Sequence, residues 1–166
     1  GTNEALSFIA ELAMTSGDYE RASTMYQEMA ERAAKSSDLP ELAQLKSQLA
    51  AIAARRRDPA TALRLLDEAG AVLRRTGRPA AAAALPYEHG VVALWDNKPV
   101  AAERLFRAAL ADADTTEHVS RYLAQSRLAA ARLAQGDTAD AERWLTTATD
   151  ELDTWRGGLS DSTLRV

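Results

Sequence analysis

Four stretches of the chain superpose on one another at a nearly constant step. Ala22, Met25, Tyr26, Met29 and Ala33 return as Ala62, Leu65, Leu66, Ala69 and Leu73. They return again as Ala102, Leu105, Phe106, Ala109 and Ala113, and a fourth time as Ala141, Trp144, Leu145, Ala148 and Leu152. The leading alanines stand 40, 40 and 39 residues apart. Within each stretch the spacing i, i+3, i+4, i+7, i+11 draws one apolar stripe down a helix. A period of this size means stacked supersecondary units, none able to bury its apolar face alone. The expected fold is all-α, about four helix-turn-helix units over 1–156, near 3–37, 38–77, 78–116 and 117–156. Residues 157–166 read as a linker or as the start of a following helix.

Start signals place the striped helix, helix B, in each unit. Gly17-Asp18-Tyr19 and Gly136-Asp137-Thr138 supply a turn and an aspartate N-cap. Asp58-Pro59 combines the cap with proline at the first helical position, and Pro99 follows Asn97-Lys98 in the same way. Helix A of each unit lies upstream, over about 3–16, 40–56, 79–96 and 118–135. Its buried stripe is Leu6, Ile9, Ala10 and Ala13 in the first unit, and Leu42, Leu45, Leu49, Ile52 and Ala53 in the second. Pro40 and Pro79 sit near helix starts, whereas Pro86 predicts either a kink or a helix that begins near Leu85. Gly157-Gly158 reads as a helix stop, and Ser160-Asp161 as the N-cap of a further helix. Gly1-Thr2 at one end and an interrupted unit at Val166 read as a segment cut from a longer protein.

Composition narrows the function classes. Of the 166 residues, 46% are hydrophobic and 27% charged, ordinary for a globular chain, so the pattern and not the bulk carries the information. Alanine is the commonest residue; it favours helix and lets helices approach closely. No window suits a membrane span or a secretory leader. Zero cysteines exclude disulfides, thiolate metal sites and cysteine nucleophiles, and fit a reducing, cytoplasmic setting. A net charge of −4 argues against a general nucleic-acid surface. Arginine over lysine, with the alanine excess, hints at a GC-rich bacterial genome.

With the repeat on the page, the units resemble the tetratricopeptide repeat (TPR) family. The marks are a small residue in mid-helix A (Ala10, Ala50, Gly90, Ala129), the Gly-Asp turn, and the alanine that opens helix B. An aromatic or leucine follows four residues on and a small or apolar residue three further, as in Ala22, Tyr26 and Met29 or Ala141, Leu145 and Ala148. The period exceeds the family's 34, and the early helix-A tryptophan and closing proline are missing; longer helices account for the period. HEAT-type repeats share the period, but the turn and the helix-B alanine favour the TPR type. The resemblance implies a right-handed α-solenoid that binds a protein or peptide through its concave helix-A face, as a module of a larger bacterial protein. The tail from Leu152 to Ser162 is similar to segments that join such arrays to caspase-like CHAT domains. Two other roles stand beside this one: the ligand- or peptide-sensing domain of a transcriptional regulator, and self-association as a homodimer.

That resemblance also implies the groove residues. They are Ser7, Glu11 and Thr15 in the first unit, Ser47 and Arg55 in the second, Tyr87, Val91, Leu94 and Trp95 in the third, and Ser126 in the fourth. Glu4, Met14, Gln44, Ala51, Ala54, Ala84, Leu123, Ala130, Leu133 and Ala134 fall on the same faces. The first half of this groove is polar and the second apolar, with Tyr87 and Trp95 either packed on neighbouring helices or a further unit, or offered to a hydrophobic anchor. Arg55-Arg56-Arg57 and Arg74-Arg75 read as cations at helix C-termini, and His89 as a core histidine. Asp112, Asp114, Glu117 and His118 read as loop caps rather than metal ligands. No nucleophile elbow or phosphate loop occurs, so no enzyme, cofactor or metal is expected.

Overall fold

The left-handed backbone at one repeated position organises the chain. In the computed structural model, which describes residues 2–76 and 85–163, Gly17, Arg57, Asn97 and Gly136 all have positive φ, at 80°, 59°, 56° and 84°. These four share one repeat register. Each ends a helix A with a Schellman turn. The amide of the next residue, Asp18, Asp58, Lys98 or Asp137, donates back five residues, to the carbonyls of Ala13, Ala53, Ala93 and Arg132, at 2.8–3.0 Å. That same residue opens helix B. The carboxylates of Asp18, Asp58 and Asp137 accept from the amides of Arg21, Thr61 and Asp140 at 3.2, 3.0 and 3.0 Å. One residue thus closes one helix and caps the next.

The described residues form eight helices, α1 Thr2–Ser16, α2 Tyr19–Lys35, α3 Leu39–Arg55, α4 Pro59–Arg75, α5 Leu85–Trp95, α6 Pro99–Asp112, α7 His118–Ala134 and α8 Thr138–Thr163. They fall into two compact units, Gly1–Glu88 and His89–Val166. In the first, α3 lays Leu45, Leu49 and Ile52 against Tyr26, Met29 and Ala33 of α2, and Ala10 and Ala13 of α1 join the same core. A smaller cluster of Ala43, Ala69 and Val72 holds α4 to α3, with Leu39, Leu42, Leu73 and Leu85 packed around it. In the second unit Phe106 is fully buried, its ring lying on Gly90 of α5. Ala22, Ala62, Ala102 and Ala141 are all buried at the start of helix B, where a methyl group lets the paired helices close up.

The expected stripes are buried with instructive exceptions. Leu145, assigned to a buried stripe, is 52% exposed, because no further helix A covers α8 among the described residues. The helix stop at Gly157-Gly158 does not occur. Neither glycine adopts a positive φ, so no left-handed cap forms, and α8 runs on through Ser160 and Asp161 to Thr163. Pro86 lies in α5, whose described part begins at Leu85. Gly77, Arg78, Pro79 and Ala80–Ala84 lie outside the described residues.

Two substitutions test the repeat logic. A Cβ on Gly90 would stand 2.6 Å from Cε1 and 2.8 Å from Cδ1 of the buried Phe106 ring. Gly90→Ala should therefore lose about 1–3 kcal/mol in urea unfolding through overpacking, although glycine to alanine ordinarily gains about 1 kcal/mol in a helix. Adding Phe106→Leu recreates the Ala50 and Leu66 pairing of the second repeat and should recover part of the loss. Lys98 stands where the other repeats have aspartate and makes no side-chain cap bond to α6. Lys98→Asp should raise stability by about 1 kcal/mol; an unchanged or lower midpoint would count against the capping account.

Candidate peptide-binding cleft

Helices α1 and α3 flank α2 in the first unit, and a cleft of about 350 Å³ opens over it. Its rim is polar: Ser7 and Glu11 stand one turn apart on α1, and Glu41, Gln44 and Gln48 follow helical spacing on α3. Its floor is apolar, made by the exposed edges of Tyr26, Met29 and Leu45, whose bulk belongs to the core. Burial, and then the carboxylate of Glu11, raise the Tyr26 hydroxyl above its ordinary pKa. Both charged side chains on the cleft are glutamates. A volume of this order takes a few side chains of a peptide or one small ligand.

Of the expected groove residues, the cleft brings together Ser7 and Glu11, with Gln44 opposite. Thr15 lies at the exposed end of α1, its hydroxyl donating to the Leu12 carbonyl at 2.9 Å. Ser47 is half-buried on α3, and Arg55 is exposed in its last turn. On α5, Tyr87, Val91 and Leu94 are half-buried while Trp95 is 49% exposed; Ser126 is half-buried on α7. Ala54, placed on the groove side by the pattern, is buried instead, and Met14 packs against the core. The cleft residues that sequence reasoning missed are Tyr26, Met29, Glu41, Leu45 and Gln48. Glu41 and Gln48 stood in view, about one turn to either side of Gln44; Tyr26, Met29 and Leu45 were hidden by a rule that makes each residue either core or groove.

In the second unit the charged side chains face one another. Arg132 of α7 reaches Glu103 of α6 at 3.1 Å and Asp140 of α8 at 2.8 Å, and also pairs with Asp137 in the turn. The Gln135 amide donates to Glu103 at 2.9 Å. The Gln135 bond, with Arg107 and Arg132, holds the Glu103 carboxyl below its usual range against the cost of burial. His118, which reads as a loop residue, meets Glu151 of α8 at 2.5 Å, and Arg121 donates to the same carboxylate at 2.9 Å. Burial pushes Glu151 up, but His118 and Arg121 together outweigh it and lower its pKa. Asp114 accepts from the Thr116 amide at 3.0 Å, a loop bond. Among the described residues no group of three or more acidic or histidine side chains is placed to hold a metal ion. No helix among them is long and apolar enough to cross a membrane.

Solved structures of similar fold give the class. BtubC (BKLC) from P. vanneervenii superposes with a TM-score of 0.73 at 21% identity, over 93% of this chain and 65% of that one. A putative kinesin light chain of Podosopora anserina, with nearly identical TPR-like repeats, gives 0.69 at 21% identity, over 87% of this chain and 72% of that one. No protein-family model and no curated protein matches the chain. The chain has the fold of the TPR-like helical-repeat proteins. It spans 65% of the BtubC chain's length.

The carboxylates of the second unit carry a pH prediction. Glu103 and Glu151 have folded pKa values below their unfolded ones. Their contribution is complete above the unfolded value of about 4.3 and is lost as pH falls through the folded values. Urea midpoints should hold steady from neutral pH to about that unfolded value and then decline. Glu103→Gln with Glu151→Gln should lower stability at neutral pH and flatten the acid decline.

Proposed function

We propose that this chain is a protein-binding module that holds a basic peptide segment in the cleft of its first unit. The observation that carries the reading is the pairing of an apolar floor with two carboxylates, Glu11 and Glu41, and no cation on the lining. A lysine or arginine side chain matches that arrangement: its stem lies along Tyr26, Met29 and Leu45 while its head reaches a carboxylate. Ser7, Gln44 and Gln48 supply donors and acceptors for the peptide backbone. The fold supports the same reading, since stacked helical repeats create extended binding faces. Thr15, Ser47 and Arg55 are flanking positions on the same helices. Val91, Leu94 and Trp95 of α5, with Ser126 of α7, offer a second contact in the second unit, supported by the exposure of Trp95. The absence of cysteine and the arginine bias extend the reading to a bacterial, cytoplasmic setting.

Probing the chain with an immobilised peptide library should select sequences rich in lysine and arginine. Glu11→Gln with Glu41→Gln should weaken capture of the best of them about tenfold, the equivalent of roughly 1.4 kcal/mol, and added salt should do the same. Trp95→Ala should leave basic-peptide capture in place and weaken peptides with an aromatic anchor. Selection without basic residues, or equal capture by the double variant, would sink the assignment to this cleft.

A further inference from the structure

We infer that the Tyr26 hydroxyl sets the ligand preference of the first unit's cleft: with Glu11 it receives the ammonium head of a lysine side chain in preference to an arginine guanidinium. The inference rests on the cleft reading above and narrows it from basic peptides to lysine-bearing ones. In the repeat register Tyr26 stands where Leu66 and Phe106 stand on α4 and α6, and all three are buried. Leucine and phenylalanine fill the place as well, so packing alone asks for no hydroxyl there. A buried phenol ordinarily finds a hydrogen-bond partner. The Tyr26 side chain is 5% exposed, yet its hydroxyl makes no hydrogen bond among the described residues. Nor is that oxygen sealed off: it keeps access to solvent, on the cleft that the side chain lines.

An unpartnered hydroxyl on a cleft floor is a place for a polar group of a ligand, and Glu11 decides the sign of that group. Its carboxylate lines the same cleft and acts on the hydroxyl, adding to burial in raising its pKa. Negative charge there favours a positively charged donor over a neutral amide or a carbonyl oxygen. The two basic side chains meet such a pair differently. An ammonium is compact and directs three N–H groups apart. One goes to the Tyr26 oxygen, one to Glu11, and one to an acceptor on the rim, Ser7, Gln44 or Gln48. A guanidinium holds its donors in one plane and matches two of them to a single carboxylate. The hydroxyl then lies covered and unpaired beneath the bound arginine, an unfavourable arrangement that the lysine complex avoids.

Titrating the full chain with a blocked peptide, Gly-Ser-Lys-Ala-Lys-Ser-Gly, and with its arginine counterpart tests this by calorimetry. The wild-type chain should bind the lysine peptide about tenfold more tightly. Tyr26→Phe should bring the lysine peptide down to the level of the arginine one and leave the arginine peptide unchanged. Helicity by circular dichroism should be kept, since phenylalanine packs at the same register position in Phe106. A second readout does not depend on that variant folding. The chain has four tyrosines, and with tyrosine labelled at Cζ, replacing the other three singly by phenylalanine assigns the Tyr26 resonance. That resonance should move with the lysine peptide and stay in place with the arginine one. If neither peptide binds, or if Glu11→Gln with Glu41→Gln takes both as well as the wild type does, the cleft reading falls and this inference with it. If both bind and need the glutamates but lysine is not preferred, the cleft stands and the role of Tyr26 is overturned. A lysine preference that survives in Tyr26→Phe, or a Cζ resonance that answers both peptides equally, overturns it too.

Discussion

The fold depends on one residue per repeat that is held in the left-handed region at the end of helix A. That conformation lets the following amide reach back five residues to the helix it leaves, and in three of the four repeats the side chain of that same residue caps the helix it enters. The chain therefore reverses in two or three residues, and helices A and B pack as a pair. Glycine takes the position without strain in the first and fourth repeats. Arg57 and Asn97 take it in the second and third, where a Cβ makes it unfavourable by about 1–2 kcal/mol. The packing beyond the turn outweighs that cost, because small residues in mid-helix A let the large residues of helix B come close.

Electrostatics are distributed differently in the two units. In the second, Arg132, Glu103, Asp140, Glu151, His118 and Arg121 turn inward and join α6, α7 and α8. Such pairs are half-buried, where charge-assisted bonds are stronger than at an open surface and where losing one partner leaves the other stranded. In the first unit Lys46, Arg64 and Glu68 pair in the same way across α3 and α4. Glu11 and Glu41 instead stand on a rim over apolar side chains. This contrast makes the cleft a binding surface in the proposed function and the second unit's ion pairs a means of holding helices together.

Much of the fold was legible in the sequence because it follows from local rules. The 40-residue step, the helix-B stripe and the aspartate caps at 18, 58 and 137 are all set by neighbours along the chain. The helix bounds followed to within a few residues wherever a cap or a turn marked them. Gly157-Gly158 misled because glycine is compatible with a helix as well as with its end, and only the backbone shows which was chosen. The candidate site was half legible. Ser7, Glu11 and Gln44 came from the resemblance, which puts the outer face of helix A on the groove, but the cleft floor came from Tyr26, Met29 and Leu45, which helical spacing assigns wholly to the core.

The sequence by itself determined that this chain forms paired helices in register, since periodicity and capping are properties of residues a turn or two apart. Only the tertiary structure decided which members of a repeated position are covered. Leu145 and Leu12 obey the same pattern as their buried counterparts and are exposed all the same. Burial is set by the neighbour across the contact, and no repeat encodes that neighbour within itself.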